Sequence, residues 1–230
     1  AVNGADDLFI HVGFCALNAM SKTGQSRPFH KDADGLVPAE GAAVVALKRL
    51  EDAQADGDTI LGVIRGIGLS NDGNAKGILA PSKDGQIRAI QAAYEEAGLS
   101  QDDVGYLECH ATGTPVGDST ELYSMSSVFK EKTPIASLKS NLGHLITAAG
   151  GAALLKVLYQ FKTSQLAPSL HVDDPNLALK DSPFEIVKKL QPWKSKKIAG
   201  ISAFGFGGNN AHLIVSAPEV KVPRVSESKA

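Results

Sequence analysis

Short apolar runs alternate with segments of helical period along most of this chain, and that alternation restricts it to layered α/β architectures. Valine-containing runs at residues 42–50 and 60–69 read as buried strands on either side of an acidic turn at residues 51–58. Residues 86–98 place Ile87, Ile90, Tyr94 and Ala97 on one helical face, and Gly98 supplies a stop. A strand at 106–109, a helix over about 119–129, a strand at 134–138 and a helix rich in small residues over about 145–161 continue the series. Strand-like runs at 184–187, 198–203 and 212–216 close it, and their tight spacing predicts mixed pairing at one sheet.

The flanks are less regular. Leu8, Val12, Cys15 and Ala19 recur at helical spacing within residues 5–20, and the polar stretch 21–34 reads as a loop. Residues 71–84, rich in Gly, Asn and Asp, read as a long loop, and the Pro, Val, Glu and Lys-rich end at 217–230 reads as a linker.

Composition narrows the partners. The 230 residues are 43% hydrophobic and 21% charged, enough for one sizeable core, and the formal net charge of -2 comes from interspersed signs. No basic face is evident, which argues against nucleic acid or an anionic membrane. Cys15 and Cys109 make no disulfide framework, and no Cys/His spacing suits a metal, so a reducing cytoplasm is the expected setting. The longest apolar run, 148–161, is broken by Gly150, Gly151 and Lys156 and is too short to span a bilayer. The chain opens on Ala with no leader pattern, as though cut from something longer.

Three segments carry chemistry. In Glu108-Cys109-His110-Ala111-Thr112-Gly113-Thr114-Pro115 a strand delivers a histidine into a Gly, Thr and Pro-rich loop, where α/β proteins hold ligands. Alone, His110 also fits a hydrogen-bonded loop residue. Ser137-Leu138-Lys139-Ser140-Asn141-Leu142-Gly143-His144 repeats the arrangement, with His144 expected at a helix start, where the macrodipole favours a neutral ring. The plainer account is that Ser140 or Asn141 caps that helix. Phe204-Gly205-Phe206-Gly207-Gly208 joins two strand-like runs; it lacks the last glycine and the following helix of a dinucleotide loop, and a tight hairpin is the competing account.

Taken together and in this order, HATGTPVGDSTE, KSNLGH and SAFGFGGNNAH resemble the C-terminal signature blocks of β-ketoacyl synthases, especially ketosynthase domains of type I polyketide and polyunsaturated fatty-acid synthases. The resemblance extends upstream through DADGLVPAEGAAVVALKRLEDA and covers all but about the last dozen residues. It implies a thiolase-like αβαβα layered fold, with residues 1–50 ending the first half, 51–216 forming the second half and 217–230 a tail. It also implies that the nucleophilic cysteine, in an N-terminal half absent from this chain, lies upstream of Ala1.

By the same resemblance, His110 and His144 donate hydrogen bonds to the thioester carbonyl of a malonyl-type extender, supported by Lys139 and the carboxylate of Glu121. Asp118 and Glu121 also have the spacing of a capping box. Thr112 and Thr114 match hydroxyls that bind the phosphopantetheine arm of an acyl carrier protein, the implied partner. Phe206 matches a gating phenylalanine in an oxyanion loop spanning Phe204, Gly205, Phe206, Gly207 and Gly208. The implied activity is decarboxylative condensation with no bound cofactor and no metal, in a homodimeric parent. A non-elongating, chain-length-factor-like scaffold is the alternative, and a thiolase is disfavoured because no cysteine follows Cys109. Cys109, beside His110 on a strand, faces the opposite way and reads as structural, and Asn209 stands where threonine is usual.

Overall fold

A computed structural model describes residues 1–4, 8–73 and 80–220. In chain order its elements are β1 (Val2–Asn3), α1 (Leu8–Ala16), β2 (Gly41–Ala42), α2 (Leu50–Ala55), β3 (Val63–Asn71), α3 (Lys83–Ala97), β4 (Tyr106–Glu108) and α4 (Pro115–Val128). Then follow β5 (Thr133–Ala136), α5 (Lys139–Leu142), α6 (Ala149–Thr163), β6 (Gln165–Leu166), β7 (Phe184–Ile186), β8 (Gln191–Pro192), β9 (Ile198–Phe204) and β10 (Asn209–Ser216).

Six strands form one mixed sheet in the order β3-β10-β9-β4-β5-β7. The β3, β10 and β9 strands pair antiparallel, and β9, β4, β5 and β7 run parallel. The sheet has two apolar faces, so its central strands are apolar on both sides. One face packs Ile90, Tyr94, Leu122 and Met125 of α3 and α4 on Leu107, Ile135 and Ile214. The other packs Leu154, Val157 and Phe161 of α6 on Tyr106, Ala199 and Ile201. Helix α3 lies against β3 because Gly68 has no side chain: a Cβ there would stand 1.8 Å from the Ala89 carbonyl oxygen. Ser82 caps α3 by accepting from Gly85 N–H, and Gly98 ends it in the left-handed conformation.

The mixed sheet and the helix over 86–98 agree with the sequence pattern, and other expectations need correction. Residues 42–50 are not a strand: beyond the two-residue β2, paired with β1, the chain is irregular, with Val44 85% and Leu47 74% exposed. A strand exists only where a neighbour takes up its backbone donors and acceptors, and among the described residues only β1 does so here. The acidic stretch 51–58 is mostly helix α2, with an i,i+3 Arg49–Asp52 ion pair at its start. Helix α4 begins at Pro115 rather than near residue 119, with proline at the first helical position where no intrahelical N–H is needed. That start removes the capping-box reading of Asp118 and Glu121, since Thr114 is the N-cap residue.

The tail expected at 217–220 is packed rather than free, with Ala217 buried and the Arg65 guanidinium donating to the Val220 carbonyl at 2.9 Å. Residues 74–79 of the expected loop and 221–230 of the expected linker lie outside the described residues. Among the described residues no helix is long and apolar enough to cross a membrane.

Candidate functional site: two histidines and a lysine in one cavity

The C-terminal ends of β4, β5 and β9 open into a cavity of about 950 Å³. His110, Lys139 and His144 line it together with Glu121, Thr112, Thr114, Phe204, Gly205, Phe206 and Gly208; of the expected site residues, Gly207 is not among its walls. Segments 34 and 29 residues apart in sequence (110 to 144, and 110 to 139) therefore meet at one point. The His110 and His144 rings stand edge to face with centroids 5.6 Å apart, and Phe204 lies 5.8 Å from the His110 ring.

Each histidine is held by a different device. Past the end of β4 the chain turns into a loop that runs to the start of α4, and two carboxylates from the first turns of α4 collect its backbone donors. Glu121 accepts from His110 N–H at 2.8 Å and Ala111 N–H at 2.7 Å. Asp118 accepts from Thr112 and Gly113 with one oxygen, at 3.0 and 3.2 Å, and from Phe29 N–H with the other at 2.8 Å. These carboxylates satisfy buried N–H groups that no helix or sheet reaches. Burial pushes Asp118 up to about 6 and Glu121 likewise upward, against the hydrogen bonds and the Lys139 charge that pull both down.

His144 does not stand at a helix start as the sequence suggested. It lies in the connection between α5 and a single 3-10 turn at Ile146–Ala148 that precedes α6, and Ser140 and Asn141 sit inside α5 rather than capping it. Its backbone is stitched to the segment 37–39, donating to the Val37 carbonyl at 2.7 Å and accepting from Ala39 N–H at 2.9 Å. Gly143 at φ 78 lets the chain make that approach, since a Cβ would meet the Val37 oxygen at 2.9 Å. The ring Nδ1 accepts from Ile146 N–H at 3.0 Å, which puts the proton of the neutral ring on Nε2. Ile146 reaches that position at φ 46, a left-handed conformation that a β-branched residue adopts only under constraint.

Neutrality comes from burial and charge, not from the macrodipole. Burial and then the Lys139 charge hold His144 at about 3, and the same causes, with His144 itself, hold His110 well below its usual range. Lys139 is buried, which lowers it, while Glu108, Glu121, Cys109 and Asp118 counteract. Two neutral imidazoles and a buried lysine thus face the cavity, an arrangement suited to donating hydrogen bonds to an oxygen that becomes negative.

The remaining expected residues divide clearly. The Thr112 and Thr114 hydroxyls are 3.1 Å apart in the cavity lining. Gly205 to Gly208 make the turn between β9 and β10, so hairpin and cavity wall are one feature. Gly207 and Gly208 both have positive φ, and the ring of Phe206, 51% exposed, lies tilted against Phe14 with centroids 5.5 Å apart. Cys109 faces the opposite side of β4 from His110, with its sulfur 3.8 Å from the Met125 sulfur, and burial pushes its thiol well up. His212 is fully buried beside Ser202 and stacked on Tyr94, away from the cavity walls. Among the described residues no cluster of His, Cys, Asp and Glu is arranged to hold a metal ion.

Sequence reasoning missed the loop-holding role of Asp118 and the buried Glu108–Lys156 pair, with Lys156 Nζ 2.6 Å from Glu108 Oε2. Glu108 stands two residues before His110, a position that could have drawn attention to it.

Comparison with known proteins bears on the fold and the family. Family models match consecutive stretches: the β-ketoacyl synthase N-terminal domain at residues 2–53, its C-terminal domain at 61–173 and the ketoacyl-synthetase C-terminal extension at 174–229. The chain is 37% identical to polyketide synthase PksN of Bacillus subtilis over 95% of its own length and 4% of that protein. It is 42% identical to polyketide synthase ThaG of Burkholderia thailandensis over 85% of its length and 4% of that protein. Among solved structures, the oxazolomycin ketosynthase domain OzmH KS7 of Streptomyces albus JA3453 superposes with a TM-score of 0.91 at 40% identity, covering 96% of this chain and 41% of that one. The PfaC keto synthase-chain length factor superposes at 0.90 and 36% identity, covering 98% of this chain and 25% of that one. The chain thus spans a small part of these curated relatives and under half of the solved ketosynthase domain. With consecutive ketosynthase models along it and a thiolase-like α/β layered fold, it belongs to the β-ketoacyl synthase family.

Proposed function

We propose that this chain supplies the decarboxylation apparatus for a decarboxylative Claisen condensation carried out by a longer polypeptide. The observation that carries the reading is the pair of neutral imidazoles 5.6 Å apart in one cavity, backed by the buried Lys139. A malonyl-type thioester carried on the phosphopantetheine of an acyl carrier protein would enter past Thr112 and Thr114. Its carbon–carboxylate bond breaks, carbon dioxide leaves, and the electron pair passes to the thioester oxygen as an enolate. His144 Nε2–H and His110 receive that charge, and preorganised donors of this kind each contribute about 3 kcal/mol. The enolate carbon then attacks an acyl thioester, expelling the sulfur that held the acyl group.

Neither cysteine of this chain suits that sulfur. Cys109 is buried behind β4, and Cys15 is not among the cavity walls. The nucleophile in this proposal belongs to another part of the polypeptide, as does much of the acyl pocket. The oxyanion formed at the acyl carbonyl would be received in part by the Phe206 N–H, with the Phe206 ring as gate.

The test is malonyl-carrier-protein decarboxylation by the intact polypeptide bearing His110→Ala or His144→Ala. Loss of one donor should lower kcat by about 10² to 10³. Undiminished carbon dioxide release in both variants would overturn the reading and leave a scaffold role like that of a chain length factor, a class whose PfaC member shares the fold.

A further inference from the structure

Glu108 and Lys156 form the most deeply buried ion pair among the described residues, with side chains 1% and 7% exposed, and the reaction as proposed gives them no task. Glu108 ends β4, and Lys156 lies on α6 on the other side of the sheet from α4. Every oxygen of the carboxylate is committed. Oε2 accepts from Lys156 Nζ at 2.6 Å and from the Tyr106 hydroxyl at 2.5 Å, and Oε1 accepts from Leu138 N–H at 2.6 Å. The Lys156 ammonium also lies 5.7 Å from the centre of the Tyr106 ring.

The contact with Leu138 joins the two halves of the site. Leu138 immediately precedes Lys139, while Glu108 stands two residues before His110 on the strand that delivers it. One carboxylate therefore fixes the turn carrying the lysine against the strand carrying the histidine. Stability gives little reason to keep such a pair, because well-packed apolar residues replace buried ion pairs without loss in many proteins.

The charges around Lys139 point the same way. Glu108 acts on it from the end of β4, with Cys109 behind that strand, Asp118 and Glu121 from α4, and the His110 and His144 rings from the cavity. Among the charges, Glu108 acts most strongly to keep the lysine protonated against its burial. We propose that Glu108, clamped by Lys156 and Tyr106, is a positioning residue for the condensation chemistry: it registers the Lys139 turn against the His110 strand and supplies the main counter-charge for the Lys139 ammonium. This rests on the decarboxylation reading of His110, His144 and Lys139.

The experiment compares Glu108→Gln, Lys156→Met and the double variant in the intact polypeptide, reading malonyl-carrier-protein decarboxylation against pH beside thermal melting. Glutamine keeps an acceptor for Leu138 N–H and loses the charge, so kcat should fall about tenfold with KM little changed. Lys139 loses a negative neighbour, its pKa falls, and the alkaline limb of the kcat profile moves to lower pH by about one unit. Lys156→Met keeps the Glu108 carboxylate in place and should not lower that limb. If Glu108→Gln alone folds poorly, the double variant carries the readout, since it removes both charges together; it should melt near the wild type and still show the lowered limb.

An active wild type whose alkaline limb stays in place in the double variant would overturn this inference alone. So would a loss in every variant that merely tracks the folded fraction. A wild type that releases no carbon dioxide would overturn the decarboxylation reading and this inference with it.

Discussion

Replacing Glu121 with glutamine changes one atom, yet it should disable the loop that carries His110. The carboxylate presents an oxygen to each of two buried donors, His110 N–H at 2.8 Å and Ala111 N–H at 2.7 Å. A carboxamide offers one oxygen and one NH2, so one backbone N–H faces another donor. The variant loses a charge-assisted hydrogen bond and strands a buried N–H, together a loss of roughly 3 kcal/mol. For a domain above 150 residues this lowers the melting temperature by about 6–12 °C. The backbone at His110 must then move to find another partner, and a shift of about 1 Å in a positioning group costs on the order of 10²-fold in rate. Asp118→Asn is the control: its oxygen can stay on Thr112 and Gly113 and release only Phe29, whose contact lies away from His110. Melting and decarboxylation would be measured side by side in the intact polypeptide. A Glu121→Gln variant with wild-type melting and wild-type rate would refute the two-donor argument.

Three further outcomes follow from the structure. His144 and His212 are held at about 3 and His110 well below its usual range, so the unfolded chain binds more protons than the folded one between about pH 6.5 and pH 3. The histidine contribution is therefore full above about pH 6.5 and is lost as pH drops through that window, while Asp118, raised to about 6, and Glu121, also raised, bind protons in the folded chain and offset part of that loss. The net fall should be shallow at about pH 6 and steepen toward about pH 4, which urea titrations at several pH values would detect. Gly68→Ala drives a methyl group into the Ala89 carbonyl and should cost about 3 kcal/mol or prevent folding; a melt unchanged from wild type would contradict the close approach of α3 to β3. Cys109 should resist alkylation in the native protein and react only once the chain unfolds in denaturant, as read by mass spectrometry of the peptide containing it.

The parts of this architecture legible in the sequence are those with local causes. The 198–204 and 209–216 strands announce themselves through apolar runs interrupted by a glycine turn, and α3 through its apolar face and its Gly98 stop. The three motif loops are also local, and their order along the chain carried the family resemblance. What was not legible depends on partners far away in sequence. Residues 42–50 have strand-like composition but no neighbour among the described residues beyond Val2–Asn3, and composition cannot report a missing partner. Glu108 and Lys156 are 48 residues apart, and nothing in either local pattern predicts that α6 brings a cation to the end of β4. Ile146 at φ 46 is the sharpest case, because local preference argues against a β-branched residue there. Here the partner is near in sequence: the conformation delivers an N–H to Nδ1 of His144 two residues back, a specific side-chain contact that overrides propensity and that apolar periodicity does not encode.

These long-range contacts share a pattern that explains how a site so deeply buried remains polar. Basic and acidic side chains alternate in Lys156, Glu108, Lys139 and Glu121, all buried, on α6, β4, α5 and α4 in turn. The desolvation of Glu108 is offset by its contact with Lys156, and that of Lys139 is opposed by the nearby Glu108, Glu121 and Asp118 carboxylates. The histidines sit outside that row, and burial, with the lysine charge added to it, keeps them unprotonated. Neutral rings can approach a carboxylated substrate as hydrogen-bond donors without forming an ion pair that would hold its carboxylate in place. The row thus places the fixed positive charge behind the rings rather than on them, and favours an oxygen that gains charge over a carboxylate that must leave.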